Sequence, residues 1–303
     1  MRERILHGMG YWGWRLGAAL VQRLPARLVY AGAVLFGEVA YLGWRTKREV
    51  TKHNFSIVLG RSAGDPEVAR TSRRSFRNFA KYITEIMRFP KLHARDLERM
   101  VTIEPRSLAN LRAAHDHGRG LIFVSAHFGN FELGGARIAQ DIPLNVVADE
   151  LNNERLMDLL IANREHKNVN ILPAEGSVKR VLAALKRNEM VGFMMDLGPR
   201  AHELDNVRVD FFGSPTTFPT IAAALARVSG APIVVAAVKR EHNNSFRGVA
   251  LPPIYVERTR DASADLQKAT QAIVKALESL VERDPDQWYI FRPMWPAAGR
   301  STA

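Results

Sequence analysis

The pattern of apolar and polar positions changes character near Gly118. Beyond it, short apolar runs alternate with stretches of helical period. Residues 120–126 (GLIFVSA), 143–148 (PLNVVA), 169–173 (VNILP), 190–195 (MVGFMM) and 231–238 (APIVVAAV) are apolar runs of strand length. Continuous runs of this kind mark strands buried on both faces. Between them, residues 130–140, 154–166, 177–188 and 217–229 read as helices, with Ser177 as a cap. Residues 263–283 give a last long helix with Leu266, Ile273, Leu277 and Leu280 on one side. Strand–helix alternation predicts an α/β fold, a mostly parallel central sheet flanked by helices on both faces.

Upstream of Gly118 the period is helical. Residues 65–89 form one predicted helix, with Asp65 as cap, Pro66 in the first turn and Pro90 closing it. Phe76, Phe79, Ile83, Ile86 and Met87 make its apolar stripe, while Arg73, Arg74, Arg77 and Lys81 lie largely elsewhere, as a solvated or a phosphate-binding face. The longest apolar stretch, residues 28–44, is interrupted by Glu38 and is marginal for a membrane span. No small-residue cleavage site follows it, so it makes a poor signal peptide. The chain has neither an internal repeat nor a Gly/Ser linker. The simplest partition is a helical N-terminal segment, 1–60, and a single α/β domain, 61–303.

Composition narrows the classes. Among 303 residues, 47% are hydrophobic and 24% charged, which excludes a disordered chain. Cysteine is absent, which excludes disulfides, thiolate metal sites and cysteine nucleophiles. The net charge of +12 is concentrated: residues 1–100 carry 19 Lys and Arg against 8 Asp and Glu. Such a segment seeks phosphate, on nucleic acid or on an anionic membrane. Its cations (Arg15, Arg23, Arg27, Arg45, Lys47) are interleaved with Tyr11, Trp12, Trp14, Phe36, Tyr41 and Trp44. Aromatic rings beside snorkelling cations suit the water–lipid boundary, so the pattern favours attachment to anionic membrane lipids over nucleic acid. The alternatives are amphipathic helices packed on the domain beneath an ordinary basic surface, and a true span.

The chemistry-bearing segment is VSAHFGNFELGG, residues 124–135. A strand ends, His127 follows at once, and Glu132 comes five positions later at a helix start. Strand ends of α/β sheets are where ligands collect. Gly129 and Asn130 allow a tight turn that folds the Glu132 carboxylate back on the imidazole, fixing its tautomer and leaving the other nitrogen to accept a proton. A His and a Glu at this spacing also admit a purely structural reading. Arg164, late in a helix, and Asp196, at the end of MVGFMM, add polar groups at the same sheet edge and favour a site. His115 and His117 lack a third metal ligand, and a turn explains them. Phe211, Phe212 and Gly213 border an acyl groove or pack in the core. Arg292 is read as pinning the C-terminal segment, and Gly198, Pro199 and Arg200 as a loop.

These residues resemble the H-x4-D/E box of the lysophospholipid acyltransferase superfamily. More narrowly, the chain is similar to the bacterial branch of lipid A biosynthesis and phosphatidylinositol-mannoside acyltransferases. The resemblance rests on HFGNFELGG, on the Arg of LLIANREHKNVNILP, on MVGFMMDLGPR, on VRVDFFGSPTTFPTIAAALARVSGAPIVV and on QWYIFRPMWP, and so covers nearly the whole chain. It implies acyl transfer from a thioester, acyl-CoA or acyl carrier protein, to a glycolipid hydroxyl at the cytoplasmic face of the bacterial inner membrane. His127 is then the general base, Glu132 its orienting acid, Arg164 a phosphate or oxyanion contact, and Asp196 a residue positioning the acceptor or the arginine. A thioester is already activated, so neither metal nor cofactor is implied. AEGS, residues 174–177, superficially imitates the acid–Gly motif of the glycerolipid branch, but Asp196 is the better counterpart by strand position. Were AEGS the real block, a lysophospholipid or glycerol-phosphate acceptor would gain weight. A non-enzymatic lipid- or nucleic-acid-binding protein is the remaining reading.

Overall fold

The computed structural model describes residues 2–148, 154–173, 176–196 and 206–295. Its centre is a seven-stranded sheet built from β1 (Val101–Ile103), β2 (Leu121–Ser125), β3 (Leu144–Ala148), β4 (Val169–Pro173), β5 (Met190–Met194), β8 (Ile233–Arg240) and β9 (Phe246–Ala250). Their spatial order is β1-β9-β8-β2-β5-β3-β4, and every pairing is parallel except β8 with β9. The predicted parallel sheet is thus present. The apolar runs predicted β2, β3, β4, β5 and β8; β1 and β9 are short or polar on alternate positions and escape that signal.

Alternation along β2 shows why helices cover both faces. Ile122 and Val124 enter a cluster with Leu185 of α9 (Ser177–Lys186), Leu225 of α10 (Ile221–Ser229) and Leu277 of α11 (Ala262–Val281). Leu121 faces the other way and joins Leu111 of α6 (Pro105–His115), with Phe123 and Ile138 packed alongside. Ile138 ends α7 (Phe131–Ile138), and α8 (Glu154–Glu165) leads into β4.

Two expectations are corrected. Residues 217–229 are not one helix: Ser214–Pro219 is strand β7, paired antiparallel with β6 (Asn206–Phe211), and α10 begins only at Ile221. Pro219 forces its predecessor into extended backbone, and Thr216 and Thr217 suit a strand. Ser177 is the first helical residue rather than the cap, which is Gly176. Of the two readings of Phe211, core packing is the one observed: it is 1% exposed and stacks on Trp295 at 5.5 Å.

The N-terminal third is helical: α1 (Arg2–Arg23), α2 (Ala26–Gly43), α3 (Arg45–Val58), α4 (Pro66–Arg88) and α5 (Ala94–Met100). Asp65 caps α4 as read, accepting from the Glu67 N–H at 2.7 Å, with Pro66 at the first turn. Its buried face differs from the predicted stripe. Val68, Thr71, Ser72, Ser75, Phe76, Ala80, Tyr82 and Glu85 are buried, whereas Phe79, Ile83, Ile86 and Met87 are only partly so. The reason is that α4 is covered from several sides, by α1, α2, α3 and the C-terminal segment.

Helix α2 lies close along α4. Val29, Ala33 and Gly37 form its buried stripe, and a Cβ on Gly37 would stand 2.7 Å from Arg77 Cα. Glu38 is held by Arg73, at 2.5 Å, and by Arg77. The outer faces of α1 and α2 carry Trp12, Leu16, Leu20, Leu28, Leu35, Phe36, Val39 and Leu42, all exposed. By length and composition alone α2 is apolar enough to cross a membrane. Helix α3 is tied to the domain: Phe55 lies in the main core, and Asn54 Nδ2 donates to the Ile290 and Arg292 carbonyls at 3.2 and 2.8 Å.

Candidate active site

The site grows from the β2–β5 register. Ser125 pairs with Met194 at the end of these parallel strands. Two residues further along each strand stand His127 and Asp196, brought side by side. The imidazole Nδ1 lies 2.7 Å from Asp196 Oδ1, and the His127 backbone N–H donates to Oδ2 at 2.8 Å. The Trp288 indole Nε1–H also donates to Oδ2, at 2.8 Å. Burial by itself raises the Asp196 carboxyl, but the imidazole and these N–H donors outweigh it and hold the group below the usual carboxylate range. An ionised carboxylate only accepts, so the neutral ring carries its proton on Nδ1 and leaves Nε2 as the acceptor.

The turn after His127 is tightly fixed. Gly129 has φ +58°, and a Cβ there would sit 1.8 Å from the Val238 carbonyl oxygen, so no other residue fits. Asn130 Oδ1 accepts from the Leu133 N–H at 3.0 Å, capping α7, and its Nδ2 donates to Glu85 at 2.7 Å. Glu85 is buried and paired with Arg240, whose Nη2 stands 2.8 Å from Oε2; Tyr30 of α2 donates to Oε1 at 2.9 Å. Across the turn, the Gly129 N–H donates to the Gln287 carbonyl at 2.9 Å and the Tyr289 N–H to the His127 carbonyl at 2.8 Å.

The carboxylate against the imidazole is therefore Asp196, where Glu132 was expected. Glu132 stands in the first turn of α7 and is gripped by Arg164 of α8: Nε donates to Oε2 at 3.0 Å, and Nη2 reaches Oε1. Burial alone would lower the Arg164 guanidinium, but the Glu132 carboxylate more than offsets it and raises it. The four predicted residues thus form two pairs, His127–Asp196 and Glu132–Arg164. Sequence reasoning missed Trp288, Glu85 and Arg240. The first was legible only as part of QWYIFRPMWP; the other two carry no local signal, since their pairing spans 155 positions.

The His127 side chain is 25% exposed and Asp196 1%, so the imidazole meets solvent while its partner is sealed. Phe131 packs edge-on against the imidazole at 5.3 Å. A cavity of about 250 Å³ is lined by Phe128, Lys239, Arg247 and Asp284 and by none of the four. Within it Lys239 and Arg247 already face acidic partners. His115 meets the Asn188 carbonyl at 2.9 Å and His117 packs against Tyr255. Gly198, Pro199 and Arg200 lie outside the described residues, as do Ala174 and Glu175 of AEGS.

A partly exposed histidine held by a buried carboxylate at the rim of a mostly parallel sheet is an arrangement able to take a proton from a hydroxyl. The sequence model of the bacterial lipid A biosynthesis acyltransferases matches residues 2–296, and the chain belongs to that family; it is an acyltransferase of lipid biosynthesis. It is 28% identical to the phosphatidylinositol mannoside acyltransferase of Mycolicibacterium smegmatis over 292 residues, 94% of this chain and 90% of that one. It is 24% identical to the lipid A biosynthesis lauroyltransferase of Escherichia coli over 289 residues, 92% and 89% of the two chains. Among solved structures, a 1-acyl-sn-glycerophosphate acyltransferase from Thermotoga maritima aligns with a TM-score of 0.38 and 14% identity, covering 84% of this chain and 95% of that one.

Proposed function

We propose that this acyltransferase moves a fatty acyl group from acyl-CoA or acyl carrier protein to a hydroxyl of a glycolipid, while attached to the cytoplasmic face of the plasma membrane. The carrying observation is the 2.7 Å contact between His127 and Asp196. Nε2 takes the proton of the acceptor hydroxyl as its oxygen attacks the thioester carbonyl. The tetrahedral intermediate collapses, the C–S bond breaks, and the imidazolium returns that proton to the leaving thiolate. Asp196 holds the ring and stabilises the imidazolium between the two steps. Arg164, fixed by Glu132 through two of its five N–H groups, keeps donors for an acceptor phosphate or the developing oxyanion.

The relatives' names support a glycolipid acceptor, phosphatidylinositol mannoside or lipid A in their own cases. The exposed apolar faces of α1 and α2, flanked by cations, support attachment to anionic lipid. The test is turnover of His127→Ala. Because the ring is partly exposed, the variant folds and still binds membrane, while transfer falls by at least about 10³-fold. Undiminished turnover overturns the mechanism. Mass spectrometry of membrane glycolipids from cells with and without the gene identifies acceptor and chain length together. Loss of acyl groups from glycerophospholipids alone would replace the glycolipid by a lysophospholipid or glycerol phosphate.

A further inference from the structure

We infer that Trp288 is a positioning residue of this reaction, acting through its indole N–H on the carboxylate that holds the catalytic imidazole. The inference rests on His127 being the base. Asp196 Oδ2 receives two donors, the His127 backbone N–H at 2.8 Å and the Trp288 Nε1–H at 2.8 Å, which leaves Oδ1 for the ring. Two fixed donors on one oxygen set the plane of the carboxylate, and that plane sets where the imidazole points. A buried ionised carboxylate that loses a donor turns to recover one, and the ring follows it.

The indole is held where it can do nothing else. Trp288 is 0% exposed and packs edge-on against Phe55 at 6.5 Å, Phe211 at 5.8 Å and Trp295 at 6.3 Å. Its backbone is fixed as well: the Trp288 carbonyl accepts from Ser75 Oγ at 3.0 Å, and the residue bridges to Phe128, the neighbour of His127. An aromatic cluster of this kind is satisfied by phenylalanine. The feature that only tryptophan adds is a donor that can never act as an acceptor, aimed at the buried Asp196 carboxylate.

The test replaces Trp288 by β-(3-benzothienyl)alanine, which keeps the bicyclic shape and removes only the N–H, with Trp288→Phe as the genetically simple companion. The full chain is assayed for thiol release from palmitoyl-CoA over vesicles containing phosphatidylinositol mannoside. In parallel, carbethoxylation of His127 is followed against pH by mass spectrometry of its peptide. In the benzothienyl variant kcat falls about tenfold with KM unchanged. Without the indole donor Asp196 is a stronger acceptor for the ring proton, so the carbethoxylation midpoint moves to higher pH. The other ionisable groups of this end of the sheet, Glu132, Arg164, Tyr82, Tyr289, Glu85 and Arg240, are the same in both proteins. An unmoved midpoint overturns the inference whether or not kcat falls, because lost packing alone lowers kcat without moving it. Full turnover by His127→Ala would instead strike at the base assignment; an inactive His127→Ala beside an unaltered benzothienyl variant leaves that assignment intact and removes Trp288.

Discussion

The sequence offers one imidazole two carboxylates, and the structure gives it to the more distant. Glu132 is five positions from His127; Asp196 is 69 positions away yet lies in register with it on the adjacent strand. The two acids are therefore expected to fail differently. Asp196→Asn preserves shape but offers the ring an amide, which allows the wrong tautomer; kcat is expected to fall about 10³-fold. Glu132→Gln leaves the imidazole alone and loosens Arg164, so its effect is expected chiefly on KM for the phosphate-bearing substrate, about tenfold. Steady-state kinetics on the two variants checks this, and a kcat-only loss in Glu132→Gln would reverse the roles. The sequence placed all four polar residues at one sheet edge. It did not pair them, because pairing depends on β2 and β5 being neighbours, and strand order is written in no local pattern.

At the level of elements, the buried strands were legible because parallel sheets hide both faces and leave continuous apolar runs. The β6–β7 hairpin was not, since its turn places Phe212 and Gly213 in left-handed backbone, and Phe212 carries no turn signature. Helix α4 shows a second limit: period identified the helix, but contact with α1, α2, α3 and the C-terminal segment puts Ser72, Ser75 and Glu85 inside with the apolar residues. The contact of α2 with α4 is tightly constrained at Gly37. Gly37→Leu forces side-chain carbons into the Arg77 backbone and is expected to destabilise the protein by about 1–3 kcal/mol, read as a lower urea midpoint. An unchanged midpoint would mean that α2 sits less closely on α4 than described.

For the molecule as a whole, charge and apolar surface are gathered at the same end. The cation excess of the first 100 residues lies in the same third of the chain as the exposed Trp12, Phe36 and Trp44. The two attractions respond differently to salt. Affinity for phosphatidylglycerol vesicles is expected to fall at least about tenfold between about 50 mM and about 500 mM salt, leaving an apolar remainder. Replacing the three aromatics by serine lowers that remainder, as vesicle co-sedimentation would show; salt-independent binding would point instead to insertion of α2.

The strap formed by Gln287, Trp288 and Tyr289 clamps the turn that begins at His127. In the order of synthesis those three residues follow every strand of the sheet. A chain still growing on the ribosome can lay down its strands and bring His127 to Asp196, but the turn that follows the histidine stays unclamped until the strap emerges.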